Sequence, residues 1–164
     1  FVGNKFAFIG GVQYVNPLGL KNIDLLAEYV RIDPFVYTHF HPINTYKNWN
    51  ASLGHFLPPN SEQFFIGLNY RPFYTLSGGI SYSFTRHGRN TENNNVGGDI
   101  DLPPELNYGP APFMAGDVFE TQTVEFQANW EPLENYYLIG SYKLHDWTGG
   151  YRNEWRVIFG VNLW

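Results

Sequence analysis

The chain has 164 residues, no cysteine, one methionine and a formal net charge of -5, with 15 acidic and 10 basic side chains against 31 aromatic ones (5 Trp, 12 Tyr, 14 Phe). Its 15% of charged residues falls well below the roughly 25% of ordinary globular chains. This composition excludes a disulfide scaffold, a thiolate zinc site and a cysteine nucleophile; its acidic balance argues against a nucleic-acid partner; and no apolar run approaches the roughly 18 residues of a transmembrane helix, which leaves β-strands as the one way into a bilayer.

Hydrophobic alternation with period two runs through nearly the whole sequence, placing large side chains on one face of each strand and small or polar ones on the other. Asn4 to Val15 puts Phe6, Phe8, Val12 and Tyr14 on one face, and Ile23 to Asp33 puts Ile23, Leu25, Ala27 and Tyr29 opposite Asp24 and Glu28. Glu62 to Arg71 sets Phe64, Ile66, Leu68 and Tyr70 against Gln63, Gly67 and Asn69. A turn is predicted at Arg71-Pro72-Phe73, where proline is tolerated because the ladder ends. Beyond it, Tyr74 to Arg86 sets Leu76, Ile80, Tyr82 and Phe84 against Ser77, Gly79, Ser81 and Ser83. Val118 to Trp130 carries Val124, Phe126, Ala128 and Trp130 against Thr123, Glu125, Gln127 and Asn129; Tyr136 to Asp146 carries Leu138, Tyr142 and Leu144 against Ser141, Lys143 and His145. The last strand, Asn153 to Trp164, carries Trp155, Val157, Phe159, Val161 and Leu163 against Arg156, Gly160 and Asn162.

These seven strands, each about 10 to 13 residues, exceed the usual length in globular sheets and match the tilted span of a bilayer. Short links at Asn16 to Lys21, Arg71 to Phe73 and Glu131 to Asn135 alternate with long ones at Pro34 to Ser61 and His87 to Asp117, the layout of an outer-membrane barrel. Tyr14, Tyr70, Tyr74, Trp130, Tyr136 and Trp155 would form interfacial girdles. A soluble β-sandwich alternates too, but its outer face usually carries charge, whereas this polar face is Ser, Thr, Gly, Asn and Gln. The expected fold is therefore an all-β, antiparallel transmembrane barrel. Since single-chain bacterial barrels have an even strand number, seven strands over residues 1–164 imply the C-terminal part of a larger barrel, incomplete at its N-terminus. A rival count makes Lys47 to Gly54 an eighth strand with Trp49, Ala51 and Leu53 outward, giving a small closed barrel.

The densest candidate site is Tyr37-Thr38-His39-Phe40-His41 with Tyr46, Trp49 and His55. His39 and His41 would face the same way on an extended chain, as paired metal ligands must, but no third ligand follows from spacing. Ser61, His55 and Glu62 lie close in sequence, yet no Gly-x-Ser-x-Gly elbow surrounds the serine; Glu28 and Glu125 are a carboxylate pair that spacing cannot test. Sugar recognition draws on more residues, because aromatic faces cover the apolar side of a pyranose while planar polar groups meet its hydroxyls. The external segments supply Tyr37, Tyr46, Trp49, Tyr108, Trp147 and Tyr151 with His39, His41, His55, Arg86, His87, Arg89 and Arg152. The basic run Arg86-His87-Gly88-Arg89 could grip an acidic glycan or a lipopolysaccharide phosphate.

Glu28-Tyr29, then Pro34-Phe35-Val36-Tyr37-Thr38-His39, Tyr46, Leu53-Gly54-His55 and Pro59-Asn60-Ser61-Glu62 resemble the capsule assembly protein Wzi family of outer-membrane barrels over about a quarter of the chain. The resemblance implies a surface lectin that attaches or organises capsular polysaccharide, without catalysis or cofactor, and a barrel with more strands than this chain supplies. By position, Tyr37, His39, Tyr46 and His55 fall in the matching external segment. Pro58-Pro59 departs from the glycine expected there, and Trp164 is out of phase with the apolar face of the last strand. The expected setting is thus the bacterial outer membrane, with extracellular or capsular polysaccharide, lipopolysaccharide and other outer-membrane proteins as partners, and no nucleic acid. The alternatives are a porin or substrate-selective channel and a barrel hydrolase of lipid or glycan.

Overall fold

A computed structural model describes residues 5–49, 51–104 and 111–161. The chain is all-β. Seven long strands, β1 (Ala7–Val15), β2 (Ile23–Ile32), β5 (Ser61–Phe73), β6 (Leu76–Arg89), β7 (Asp117–Leu133), β8 (Tyr136–Trp147) and β9 (Gly150–Val161), form one antiparallel sheet in the order β1-β2-β5-β6-β7-β8-β9. All seven strands stand where alternation predicts them. Among the described residues the sheet is open, with β1 and β9 as its edges, and no helix is long and apolar enough to cross a membrane.

Three expectations are corrected. β5 continues through Pro72 to Phe73, and the reversal is the two-residue Tyr74-Thr75 turn. Proline removes a ladder donor but its fixed φ is compatible with an extended edge, so it does not by itself reverse a strand. Lys47 to Gly54 is not an eighth strand of the sheet. β3 (Lys47–Asn48) and β4 (Ala51–Ser52) pair only with each other, with Lys47 opposite Ser52. Finally, β8 and β9 are joined by a tight turn at Thr148-Gly149, where Gly149 takes φ 113°, so Trp147, Tyr151 and Arg152 belong to strands and not to an external loop.

The sheet residues and connections divide between two compact units. The first comprises Phe1–Gly10, Tyr29–Gln63 and Thr85–Glu120. Its core is small: Val30, Ile32, Val36 and Leu57 form one buried cluster against which Tyr37 packs. Val30 and Ile32 have the parity opposite to Tyr29, so the Pro34 to Asn60 connection covers the face of β2 that points away from the large-side-chain face. The second unit comprises Gly11–Glu28, Phe64–Phe84 and Thr121–Trp164. Here the pairing is regular. Phe126, Tyr142 and Trp155 share one row across β7, β8 and β9, with ring centroids 6.5 Å and 4.1 Å apart, the cross-strand aromatic contact that stabilises sheets. Trp155 is therefore a mid-strand residue, not a strand-end one. The next row on the opposite face is Glu125, Lys143 and Glu154, tied by the Lys143–Glu125 ion pair at 3.0 Å.

In this unit the large apolar face is left uncovered. Phe64, Ile66, Leu68 and Tyr70 of β5 are exposed, and on β9 Trp155, Val157 and Phe159 are 77%, 73% and 69% exposed. Its opposite face holds Gly67, Gly79 and Gly160 and most of the hydrogen-bonding side chains.

Candidate functional site

The first unit holds the segment that the sequence marks out. Phe35 and Tyr37 both adopt left-handed backbone, φ 60° and 68°, a conformation that costs a bulky residue about 1–2 kcal/mol. The surrounding bonds over-determine it. Phe35 N–H donates to Gly97 O at 3.0 Å, Thr38 N–H and Oγ1 both donate to Phe35 O at 3.2 and 2.7 Å, and Tyr46 N–H donates to Tyr37 O at 2.9 Å. The Tyr37 ring stacks on Tyr46, centroids 5.8 Å apart, and its hydroxyl accepts from His55 N–H at 3.2 Å. Gly54 is what lets the ring lie there, because a Cβ at that position would collide with it. Tyr37, Tyr46 and His55 are thus brought together.

His39 and His41 are exposed and also meet, their rings 5.9 Å apart at 30°. The cause is not strand geometry: His41 N–H donates to His39 Nδ1 at 3.0 Å. Among the described residues no group of three or more His, Asp or Glu side chains could hold a metal. Trp49, at the tip of the β3–β4 hairpin with φ 53°, is 91% exposed. Lys47 of the same hairpin pairs with Asp101.

The basic run is already engaged. Arg86 binds Glu62, whose other oxygen accepts from Tyr29 Oη at 2.7 Å. His87 Nε2 lies 2.9 Å from Gly98 O, and burial, the largest effect, lowers its pKa from 6.5. The Arg89 guanidinium sits 3.6 Å over the Phe119 ring. Arg86 and His87 are thus engaged, whereas the exposed Arg89 has its face stacked and its edge donors without an ion-pair partner among the described residues. Trp147, Tyr151 and Arg152 lie in the second unit, where Tyr151 is exposed and Arg152 pairs with Glu154 at 3.2 Å. Tyr108 and Trp164 fall outside the described residues.

Ser61, His55 and Glu62 do not form a triad. Ser61 is 0% exposed with its Oγ donating to Pro59 O at 3.4 Å, His55 Nδ1 accepts from Leu57 N–H, and Glu62 binds Arg86 and Tyr29. Glu125 is held by Lys143.

Sequence reasoning missed the residue on which this unit turns. Asn60 is 0% exposed with φ 57°. Its Nδ2 donates to Gly88 O at 2.8 Å and Ala115 O at 3.1 Å, and its Oδ1 accepts from Met114 N–H at 2.8 Å. Its backbone adds Asn60 N–H to Asp33 O at 3.3 Å and Gly88 N–H to Asn60 O at 2.9 Å. One amide therefore joins the end of β2, the end of β6 and the approach to β7. Apart from its place in the Pro59-Asn60-Ser61-Glu62 resemblance, its sequence signal was an asparagine, tolerant of left-handed backbone, after two prolines.

Comparison with protein-family models, curated proteins and solved structures finds no match.

Proposed function

We propose that this chain is part of an outer-membrane β-barrel whose connecting segments bind extracellular polysaccharide. The observation that carries the reading is the uncovered apolar face of the second unit, because water-soluble sheets bury such a face against a second layer. The band it makes has the height of a bilayer core. On β8 the large face runs from Tyr136 to Leu144, about 27 Å along the strand and about 21 Å tall at a tilt of about 40°, beside the roughly 25 Å of outer-membrane barrels. Beyond the band, side chains of the same parity turn polar: Phe64 is followed by Glu62, Phe84 by Arg86, Val124 by Gln122 and Leu144 by Asp146. The spanning part of β6 accordingly runs from Leu76 to Phe84.

The binding half of the reading rests on the rings of Tyr37, Tyr46, Trp49, His39 and His41, of which Tyr37 and Trp49 stand on left-handed backbone. Strain of this kind collects at ligand sites, where it orders the binding groups in advance. The resemblance to capsule assembly barrels in the same segment agrees with it. The packing of residues 34–60 over Val30 and Ile32 favours an occluded lumen over an open pore, so planar-bilayer conductance of the full-length protein should be low.

The absence of cysteine permits a direct test. Phe159→Cys and Ser141→Cys, each labelled with a fluorophore in reconstituted full-length protein, should differ, with brominated lipid quenching the first and not the second. Equal quenching at both positions overturns the membrane assignment. Tyr46→Ala with Trp49→Ala should weaken binding of purified surface polysaccharide about tenfold, the loss of a modest hot spot; unchanged binding removes these residues from the site.

A further inference from the structure

We infer that the second unit contains a separate binding site for a neutral saccharide unit, in the cavity lined by Asp24, Asn69, Arg71, Ser77, Gln127 and Asn129. This rests on the polysaccharide reading above and adds to it a second site and a class of sugar. The six residues come from β2, β5, β6 and β7 and all have the parity of the small or polar face. They border a cavity of about 530 Å³, within the roughly 300–1,000 Å³ of small-molecule sites.

The cavity gathers unspent hydrogen-bonding capacity from four strands. In the first unit Asn60, Arg86 and Lys47 are engaged by neighbouring groups, while Asn90 Nδ2 is buried without a partner. In the cavity, the side chains of Asp24, Asn69, Arg71 and Ser77 have no hydrogen-bond or ion-pair partner among the described residues. Gln127 donates one hydrogen bond, to Asn129 Oδ1 at 3.3 Å, leaving the Gln127 carbonyl and the Asn129 amide hydrogens available. Space for these groups is made by the chain itself: a Cβ at Gly79 would lie 2.6 Å from Asn69 Oδ1.

The ligand class follows from what the groups can do. A carboxylate accepts from two hydroxyls, a guanidinium donates up to five hydrogens, and three amides and a hydroxyl do both. Such a mixed set matches vicinal hydroxyls, each of which is donor and acceptor. Arg71 and Asp24 offset each other in charge, so an acidic sugar would meet as much repulsion as attraction, and an apolar ligand would leave six polar groups stripped of water. A polyol can replace bridging water bond for bond.

The test is isothermal titration of full-length protein in detergent with maltose, cellobiose, mannobiose and lactose, alongside digalacturonic acid. At least one neutral disaccharide should bind more tightly than the acidic one. Asp24→Asn and Asn69→Leu should each raise its Kd about tenfold, the worth of one charged or amide hydrogen bond. Ser77→Phe, which fills the cavity while keeping the other five side chains, should abolish binding, and Asn129→Ser takes the place of any variant that loses its β-sheet circular dichroism. Leu133→Ala, exposed at the end of β7 and outside the cavity lining, should leave disaccharide binding unchanged. Binding of none of the neutral sugars, or preference for the acidic one, overturns the inference. Polysaccharide binding that ignores the cavity variants but needs Trp49 removes this site and leaves the loop reading standing; loss of all glycan binding in the unmodified protein removes both.

Discussion

Asn60→Ala should be the most damaging small substitution in the first unit. It deletes the two donor bonds to Gly88 O and Ala115 O and the acceptor for Met114 N–H, in a site with no exposed surface. A buried group stripped of its partner costs about 1–3 kcal/mol, so three lost bonds cost about 3–5 kcal/mol after partial relaxation. Alanine must also hold φ 57°, adding about 1 kcal/mol. The sum, about 4–6 kcal/mol, is comparable with the whole stability of many domains. Amide hydrogen exchange reads it locally, since the Met114 N–H bonds to the deleted side chain and the Gly88 N–H to the Asn60 backbone. Both should exchange about a thousandfold faster or more, at 1.4 kcal/mol per decade. Asn60→Gly should recover about 1 kcal/mol relative to alanine because glycine removes the backbone penalty alone. Asn60→Asp should recover none, since it sets a carboxylate against two carbonyls. An unfolding shift below about 1 kcal/mol with unchanged Met114 exchange would refute the reasoning.

Gly54→Ala should displace the Tyr37 ring at a cost of about 1–3 kcal/mol, separating it from Tyr46 and His55; polysaccharide binding that survives it would exclude the stacked pair from the site. Glu62→Gln leaves the part-buried Arg86 without its carboxylate and should cost about 1–3 kcal/mol in chemical denaturation, whereas a neutral result would mark the pair as solvent-screened. His87 has its pKa lowered from 6.5 mainly by burial, so the folded state binds fewer protons than the unfolded one. Its contribution is intact above about pH 6.5 and is lost as the pH falls through the lower folded value. His87→Gln should flatten that acid-side loss, measured as exchange protection around Gly98; identical pH profiles in the two proteins would count against it.

The strands were legible because parity survives any detail of packing: Phe64, Ile66, Leu68 and Tyr70 must share a face if they share a strand. The polar set opposite them was equally legible, and with it Asp24, Asn69, Gln127 and Asn129. What parity could have added, but did not, is the Arg86–Glu62 pair. Both have the parity of the large face, one step beyond Phe84 and Phe64 on neighbouring strands, so treating Arg86 as a loop residue freed a cation that the sheet holds. The Pro34 to Asn60 connection was not legible in the same way, because its form depends on Val30 and Ile32 offering an apolar patch on the otherwise polar side of β2, and on a buried amide whose three partners lie 28 to 55 residues away. His39 and His41 meet through a ring nitrogen accepting a backbone N–H, not through the extended geometry that their spacing suggested.

The sheet order also sets how much chain each closure must order. Every pairing joins strands consecutive in the sequence except β2 with β5, which must close residues 33–60, while β6 with β7 must close residues 90–116. The turns at Tyr74-Thr75, Glu134-Asn135 and Thr148-Gly149 close two residues each. Lengthening a closure from two residues to about twenty-eight costs about 2 kcal/mol in chain entropy, at about 0.6 kcal/mol per doubling. The β5–β6 hairpin and the β7–β8–β9 meander therefore cost the least chain entropy to close, and the bonds of Asn60 to Gly88, Met114 and Ala115 help offset the cost of the long closures. A single buried amide then serves as the latch that converts separately formed hairpins into one sheet.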